Sequence, residues 1–206
     1  MSYTYNPLYT HFKGNKITRA ELMERTTVET ILKSKMPDAQ RSWSKVFELK
    51  HSSSVAQFGR VLAQKRGLDV DLAAIICTMH DISVFVSGRV TDHAHKGAPI
   101  AKKILEKTKK FSEKEIKLIS GAIYNHSDKH IVSKNPYYEL VKDADVFDCG
   151  LYDGVHDAYV FEKSPETCRT YFKRIKSVRK ELGLPKDPRW DTIKYIEQGK
   201  DYEKTN

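Results

Sequence analysis

Apolar residues recur along most of the chain at helical spacing, three or four positions apart, with polar residues between them. Thr18 with Glu21, and Ser112 with Glu115, have the spacing of a capping box, which begins a helix. Gly67 and Gly183 stand where two of the helical patterns end. We therefore predict helices over residues 18–35, 39–65, 69–85, 95–109, 112–126, 137–151 and 164–183.

Strand patterns are rare in this sequence. The best short candidate is DAYVFE, residues 157–162, and neither a repeat nor a low-complexity tract is present. The fold class that this pattern predicts is all-α. Hydrophobic residues make up 39% of the chain, which is enough to build a packed core.

Composition narrows the location that we expect. No apolar run approaches the roughly 20 residues that a membrane helix needs, and the first residues lack the apolar middle of a secretion signal. Cys77, Cys149 and Cys168 are widely spaced and odd in number, so they predict no disulfide framework. We expect a cytoplasmic protein that does not engage a membrane.

The formal net charge of +9 favours a phosphate-bearing partner, such as a nucleotide or a nucleic acid. The predicted helix over 165–182 carries six basic residues and no acidic residue between Arg169 and Lys180. It could contact a phosphate backbone, although a solvated basic face explains the same pattern and nucleic acid is not the favoured partner.

The stretch AAIICTMHDISVF, residues 73–85, places His80 and Asp81 inside an apolar run. A buried carboxylate is costly unless it is paired or coordinates a cation. Other predicted helices contribute His51, His95, His126 and Asp145. Imidazole and carboxylate together suit first-row transition metals, and helices of a bundle can hold such a site between them. Helical geometry alone does not separate Asp145 from Asp143.

The order of these residues resembles the HD-domain superfamily of metal-dependent phosphohydrolases: His51, then His80-Asp81, then Asp145 in an Ala-Asp-apolar context. The similarity extends to the flanking segments HAHKGAPIAKKIL, ISGAIYNHS and LVKDADVFDCG. It implies a single domain over 1–206, an HD-domain-like helical bundle with extra terminal helices. The HD core would cover about 45–150, with a helical extension over 1–44 and a basic helix and tail over 151–206.

The resemblance also implies a metal site with divalent ions, two of them, iron or manganese, with magnesium, cobalt, nickel and zinc as alternatives. His51, His80, Asp81 and Asp145 match the ligands of one ion. His95 and His126 match the extra histidines of two-metal members, with Asp81 as the bridge. His93 is the competing ligand for His95, which the Gly97-Ala98 context favours.

The implied activity is cleavage of a phosphate ester or anhydride in a small nucleotide-like substrate by a metal-activated water, with His80 and Asp81 as catalytic residues. A di-iron oxygenase on the same ligands and a non-enzymatic basic nucleic-acid-binding module are the alternatives. The oligomeric state is left open.

One departure from the family concerns substrate binding. Many two-metal members have Gly-Lys where this chain has Ser83 and Val84, so a lysine that could contact substrate is missing. Arg89, Lys96 and Lys129 lie in or beside loops that should border the cleft, and each could hold a phosphate. Further candidates without a matching motif are His11, His130 and His156, which we expect to be ordinary polar residues, and Asp148, which could support the site.

Overall fold

The all-α prediction is confirmed by a computed structural model, which describes residues 17–194. His11 and the end of the polar tail lie outside these residues. Within them the regular structure is helical, with short 3-10 helices at Asp38–Gln40 and Pro188–Asp191. The α-helices are α1 Arg19–Lys33, α2 Lys45–Arg66, α3 Val70–Met79, α4 Ile82–Ser87, α5 His93–Thr108, α6 Glu113–Asn125, α7 Pro136–Cys149, α8 Val155–Glu162 and α9 Pro165–Glu181.

The capping signals begin helices where the sequence places them. Thr18 and Ser112 each close a full capping box with the glutamate three residues on, and Ser164 caps α9. Two expectations are wrong. The segment DAYVFE lies in α8, where helical packing outweighs its strand propensity. The second helix begins at Lys45 rather than near residue 39, because the Ser44 side chain caps it there.

The single helix predicted over 69–85 is also wrong, since a break separates α3 from α4 at the His80-Asp81 pair. Asp81 has φ −100° and ψ 21°, outside the helical range, and α4 begins at the next residue. Adjacent residues on one straight helix would point about 100° apart. The break changes that relation and lets both side chains face the same region.

The described residues form two units that divide between Asp145 and Val146, and each is described by itself. In the first unit α2 packs against α3, and α5 packs against α6. Gly97 permits the second pairing, because a Cβ there would lie 3.3 Å from the Ile123 side chain. This packing brings the start of α5 next to the end of α6.

The buried centre of the first unit is the segment Val70–Ser87. Contrary to the expectation that no apolar run approaches this length, it is long and apolar enough to cross a membrane by length and composition, but 78% of it is buried inside the protein. A core helix of a folded domain passes the same test, and this burial explains the apolar run without a membrane. The placement puts His80 and Asp81 in the interior.

The second unit contains α8, α9 and the 3-10 helix Pro188–Asp191. Its core is formed by Val146, Tyr159, Cys168, Phe172, Ile175 and Trp190. His156 packs on Phe172 and Trp190, so it belongs to this core. Four basic residues of α9 are exposed to solvent: Arg169, Lys173, Lys176 and Lys180. The division of the chain into an HD core with two extensions remains a prediction.

Candidate metal centre

Asp81 lies between two pairs of histidines. Its Oδ1 atom is 3.2 Å from His93 Nε2 and 3.3 Å from His126 Nε2. Its Oδ2 atom is 3.2 Å from His80 Nε2 and 3.9 Å from His51 Nε2. Each carboxylate oxygen therefore faces its own pair of imidazoles, which is the arrangement of a bridging carboxylate.

Three of these rings are oriented by the same local contact. His80, His93 and His126 each place Nδ1 2.7 Å from the carbonyl oxygen of the residue three positions earlier. A carbonyl only accepts, so each Nδ1 carries the hydrogen and donates it. In the neutral ring Nε2 then keeps its lone pair, and that atom faces Asp81. Hydrogen bonds of this kind are what orient histidines that bind metal.

The spacing of the facing atoms suits metal ions. Bonds of about 2.0 to 2.2 Å to nitrogen or oxygen place neighbouring ligand atoms about 3.0 to 3.5 Å apart. Asp81 Oδ1, His93 Nε2 and His126 Nε2 form a triangle with sides of 3.2, 3.3 and 3.1 Å. The potential donor atoms of His51, His80 and Asp81 likewise lie within 4.8 Å of one another.

Two buried polar atoms at this centre make no hydrogen bond. They are His80 Nε2 and Asp81 Oδ1, which have no hydrogen-bond partner within the part of the chain that the structure describes. An unsatisfied buried acceptor is costly, and a cation would compensate both. The donor set therefore fits divalent metal.

Asp145 joins the cluster from α7. Its Oδ1 atom is 3.3 Å from His51 Nε2, and its Oδ2 atom accepts a hydrogen bond from the buried Lys129. Asp143, the alternative that helical geometry left open, instead accepts a hydrogen bond of 2.9 Å from Arg66. The structure thus brings Asp145 to the histidines and pairs Asp143 elsewhere.

The charge states of Asp81 and His126 favour metal binding. Burial raises the pKa of the Asp81 carboxyl, but His80, His126 and His93 outweigh burial and hold that pKa well below its usual range. Burial also lowers the pKa of His126 to about 4, so this ring is neutral at pH 7. A negative carboxylate and a neutral imidazole are the forms that bind metal.

The structure does not bring His95 to the cluster. Its side chain is 45% exposed, and Nδ1 contacts Asp92 at 2.7 Å. The position assigned to it is occupied by His93. The Gly97-Ala98 context does not fix which of the two histidines faces the cluster, and a step of two residues turns a helix by about 200°, so they point in nearly opposite directions. His95 consequently faces away and packs on Tyr124.

Five further candidates from the sequence differ in their exposure and in their hydrogen bonds. Arg89 is exposed in the loop that precedes His93, and Lys96 donates to the Thr91 carbonyl at 2.9 Å. His130 is exposed. Asp148, in the second unit, accepts a hydrogen bond from Tyr152. Lys129 is the one of the three suggested cations that contacts a residue of the cluster.

Two aromatic residues near the cluster lie in the segment 39–65, for which the sequence pattern predicts a helix and no role at the site. Phe47 stacks on His51 with ring centroids 5.4 Å apart and an interplanar angle of 13°. Trp43 meets Phe47 edge to face at 5.5 Å. Both rings are half-buried. Their spacing, with Phe47 one helical turn before His51, is a signal that was present in the sequence.

Comparison with known proteins identifies the family. The model of the HD-domain family matches residues 49–150. A crystal structure described as a predicted HD superfamily hydrolase, from an uncultured Thermotogales bacterium, is similar with a TM-score of 0.51 and 20% identity, over 81% of this chain and 96% of that chain. At this identity the likeness concerns the fold. The search of curated proteins finds no significant match. The protein belongs to the HD-domain superfamily.

Proposed function

We propose that the protein is a metal-dependent phosphohydrolase that cleaves a phosphate ester or anhydride bond in a small, nucleotide-like substrate. The observation that carries this proposal is the placement of Asp81 between two pairs of histidines. Such a carboxylate can bridge two ions, and paired metal ions are a common means of phosphoryl transfer.

In this proposal two divalent ions, iron or manganese, occupy adjacent positions. His51, His80, Asp81 and Asp145 hold the first ion, which we name position 1. Asp81, His93 and His126 hold the second ion, position 2, with His93 in the role that the sequence assigned to His95. Bound divalent ions supply Lewis acidity, which neutralises charge on phosphoryl oxygens and lowers the pKa of water.

Residues around the cluster support a nucleotide-like substrate. The half-buried rings of Trp43 and Phe47 offer planar surface next to His51, and a base can stack on such rings. Ser42 donates to the Gly88 carbonyl at 2.8 Å and accepts from the Val90 amide, so the loop that bears the exposed Arg89 lies beside this aromatic pair. A guanidinium there suits a phosphate group.

The test is release of phosphate or nucleotide from a broad panel. The panel contains nucleoside phosphates, dinucleoside polyphosphates, cyclic dinucleotides and, as a substrate without a base, ribose 5-phosphate. The protein is loaded with Mn²⁺ and assayed without oxygen, beside the variants Asp81→Asn and His95→Ala.

We expect metal-dependent release by the wild type and by His95→Ala, and none by Asp81→Asn. No release across the panel would contradict the proposed function. Oxygen consumption with an organic substrate, and inactivity with manganese, would favour the di-iron oxygenase instead.

A further inference from the structure

Lys129 is a buried cation at the edge of the cluster. Its side chain is 4% exposed, and its ammonium donates to Asp145 Oδ2. A buried ammonium is costly unless it is paired, so this contact with Asp145 is a strong one. Asp145 Oδ1, the other oxygen of the same carboxylate, faces His51.

The loop that carries Lys129 is braced. Lys142, also buried, donates to the Ile131 carbonyl at 2.7 Å and to Glu139, and Glu139 accepts from the Ser133 amide. These bonds fix the chain between His126 and α7. The ammonium of Lys129 is therefore placed by the fold.

The two oxygens of the Asp145 carboxylate thus have different partners, His51 at Oδ1 and Lys129 at Oδ2. Lys129 neutralises the charge of this carboxylate. Burial raises the pKa of Asp145, but the charge of Lys129 helps to hold that pKa well below its usual range. A divalent ion at position 1 would bind Asp145 next to that ammonium. Like charges a few ångströms apart repel, and low-dielectric surroundings strengthen the repulsion.

We propose that Lys129 is an internal cation that competes with metal for Asp145 and makes position 1 the weaker, second position to fill. This inference rests on the two-ion site of the proposed function. It assigns Lys129 a role in regulating metal loading. This role differs from substrate binding, the role considered for the family lysine that Val84 replaces in this chain.

A purely structural lysine predicts the opposite result on substitution. If Lys129 only held Asp145 in place, its loss would displace a ligand and weaken metal binding. If Lys129 competes, replacing it by the similarly long but neutral methionine releases Asp145 to the metal. The direction of the change in affinity therefore separates the two roles.

The experiment is a titration of the full chain with Mn²⁺, with the free ion followed by its electron paramagnetic resonance signal. The wild type should bind two ions in separate steps. In Lys129→Met the weaker step should tighten by at least about tenfold. Lys129→Arg should retain the wild-type steps, and so should the control Lys102→Met, which removes an exposed lysine of the same unit.

A second comparison links the effect to Asp145. In Lys129→Met combined with Asp145→Asn, the gain should disappear, since the competition acts through that carboxylate. Thermal unfolding shows whether Lys129→Met folds, and Lys129→Gln, with the same expected direction, replaces it otherwise.

Two outcomes would overturn the inference, and they differ in what they mean for the function. Unchanged or weaker binding in Lys129→Met, with two ions still bound by the wild type, overturns the competition alone. No bound Mn²⁺ in either protein overturns the metal centre and the proposed function with it.

Discussion

The Nε2 atom of His93 lies 3.1 Å from the Nε2 atom of His126. Because each ring donates its Nδ1 hydrogen to a backbone carbonyl, the two Nε2 atoms face each other, and so do their lone pairs when both rings are neutral. Two lone pairs at this distance repel unless a cation lies between them. The pair therefore identifies the side of Asp81 where a second ion would bind.

The first prediction concerns this pair. His93→Ala should lose one bound metal ion per chain, because it removes one of three ligands at position 2. His95→Ala is the matched control, two residues along the same helix with an exposed side chain, and should keep the wild-type metal content. Metal content is measured by plasma mass spectrometry. Loss of metal in His95→Ala and not in His93→Ala would reinstate the sequence-based assignment.

The second prediction compares two aspartates of α7. Asp145→Asn should lower the proposed phosphohydrolase activity by at least about 100-fold. Substitution of a residue that only orients a metal ligand usually costs less than this. Asp143→Asn loses a contact with Arg66 and no contact with the proposed ligands is assigned to it, so this variant should stay within about tenfold of the wild type. Steady-state kinetics at saturating Mn²⁺ is the measurement, and equal losses in both variants would remove Asp145 from the ligand set.

The third prediction tests the aromatic pair. Trp43→Ala should raise KM for nucleotide substrates about tenfold or more, since stacking contributes about 1–3 kcal/mol per base. The same variant should hydrolyse ribose 5-phosphate as the wild type does, because that substrate has no base to stack. An equal change for both substrates would show that Trp43 acts on the fold of the site rather than on a base.

The fourth prediction concerns a buried ion pair near the cluster. Arg41 donates to both carboxylate oxygens of Glu48 and to the carbonyls of Val84 and Phe85, which ties the start of α2 to α4. Arg41→Met should lower the free energy of unfolding by about 3 kcal/mol or more, because it leaves the Glu48 charge buried and unpaired.

Urea denaturation of the metal-free protein measures that effect. The control is Glu29→Gln, which breaks exposed ion pairs and should cost less than about 1 kcal/mol. Equal unfolding free energies for both variants would contradict the role assigned to the buried pair.

The fifth prediction is a pH dependence. Hydrogen bonds from the Ser112 amide, from Arg19 and from the Ser112 hydroxyl lower the pKa of Glu115 from 4.5 to about 2. A lowered folded-state pKa stabilises the fold above pH 4.5, and this contribution is lost as the pH falls through about 2.

The difference in urea midpoint between wild type and Glu115→Gln should therefore be largest near pH 7 and shrink from pH 5 downwards. Glu113→Gln, a substitution of an exposed residue in the same helical turn, should show no such trend. A difference that stays constant down to pH 3 would contradict the assignment of the shift to Glu115.

Local signals in the sequence predict much of the fold. The capping boxes at Thr18 and Ser112 depend on residues three positions apart, so they can be recognised without knowledge of the tertiary structure. The residues 157–162 were misread because strand propensity is overridden by packing, here by the placement of Tyr159 in the core of the second unit.

The site was harder to predict, because it depends on helix phase. The Gly97-Ala98 context favoured His95, but the residue on α5 that faces the cluster is His93. The break at Asp81, which lets His80 and Asp81 converge, occurs without a proline or glycine at that point to signal it in the sequence. The contact between Lys129 and Asp145 joins a loop to a helix, and no local sequence pattern predicts it.

The central claim is that Asp81 bridges two cation positions. The most direct measurement is an anomalous difference map from crystals of the protein soaked in Mn²⁺. The account predicts two peaks on either side of Asp81, one contacting His51, His80 and Asp145, the other contacting His93 and His126. A single peak, or two peaks that Asp81 does not join, would contradict it.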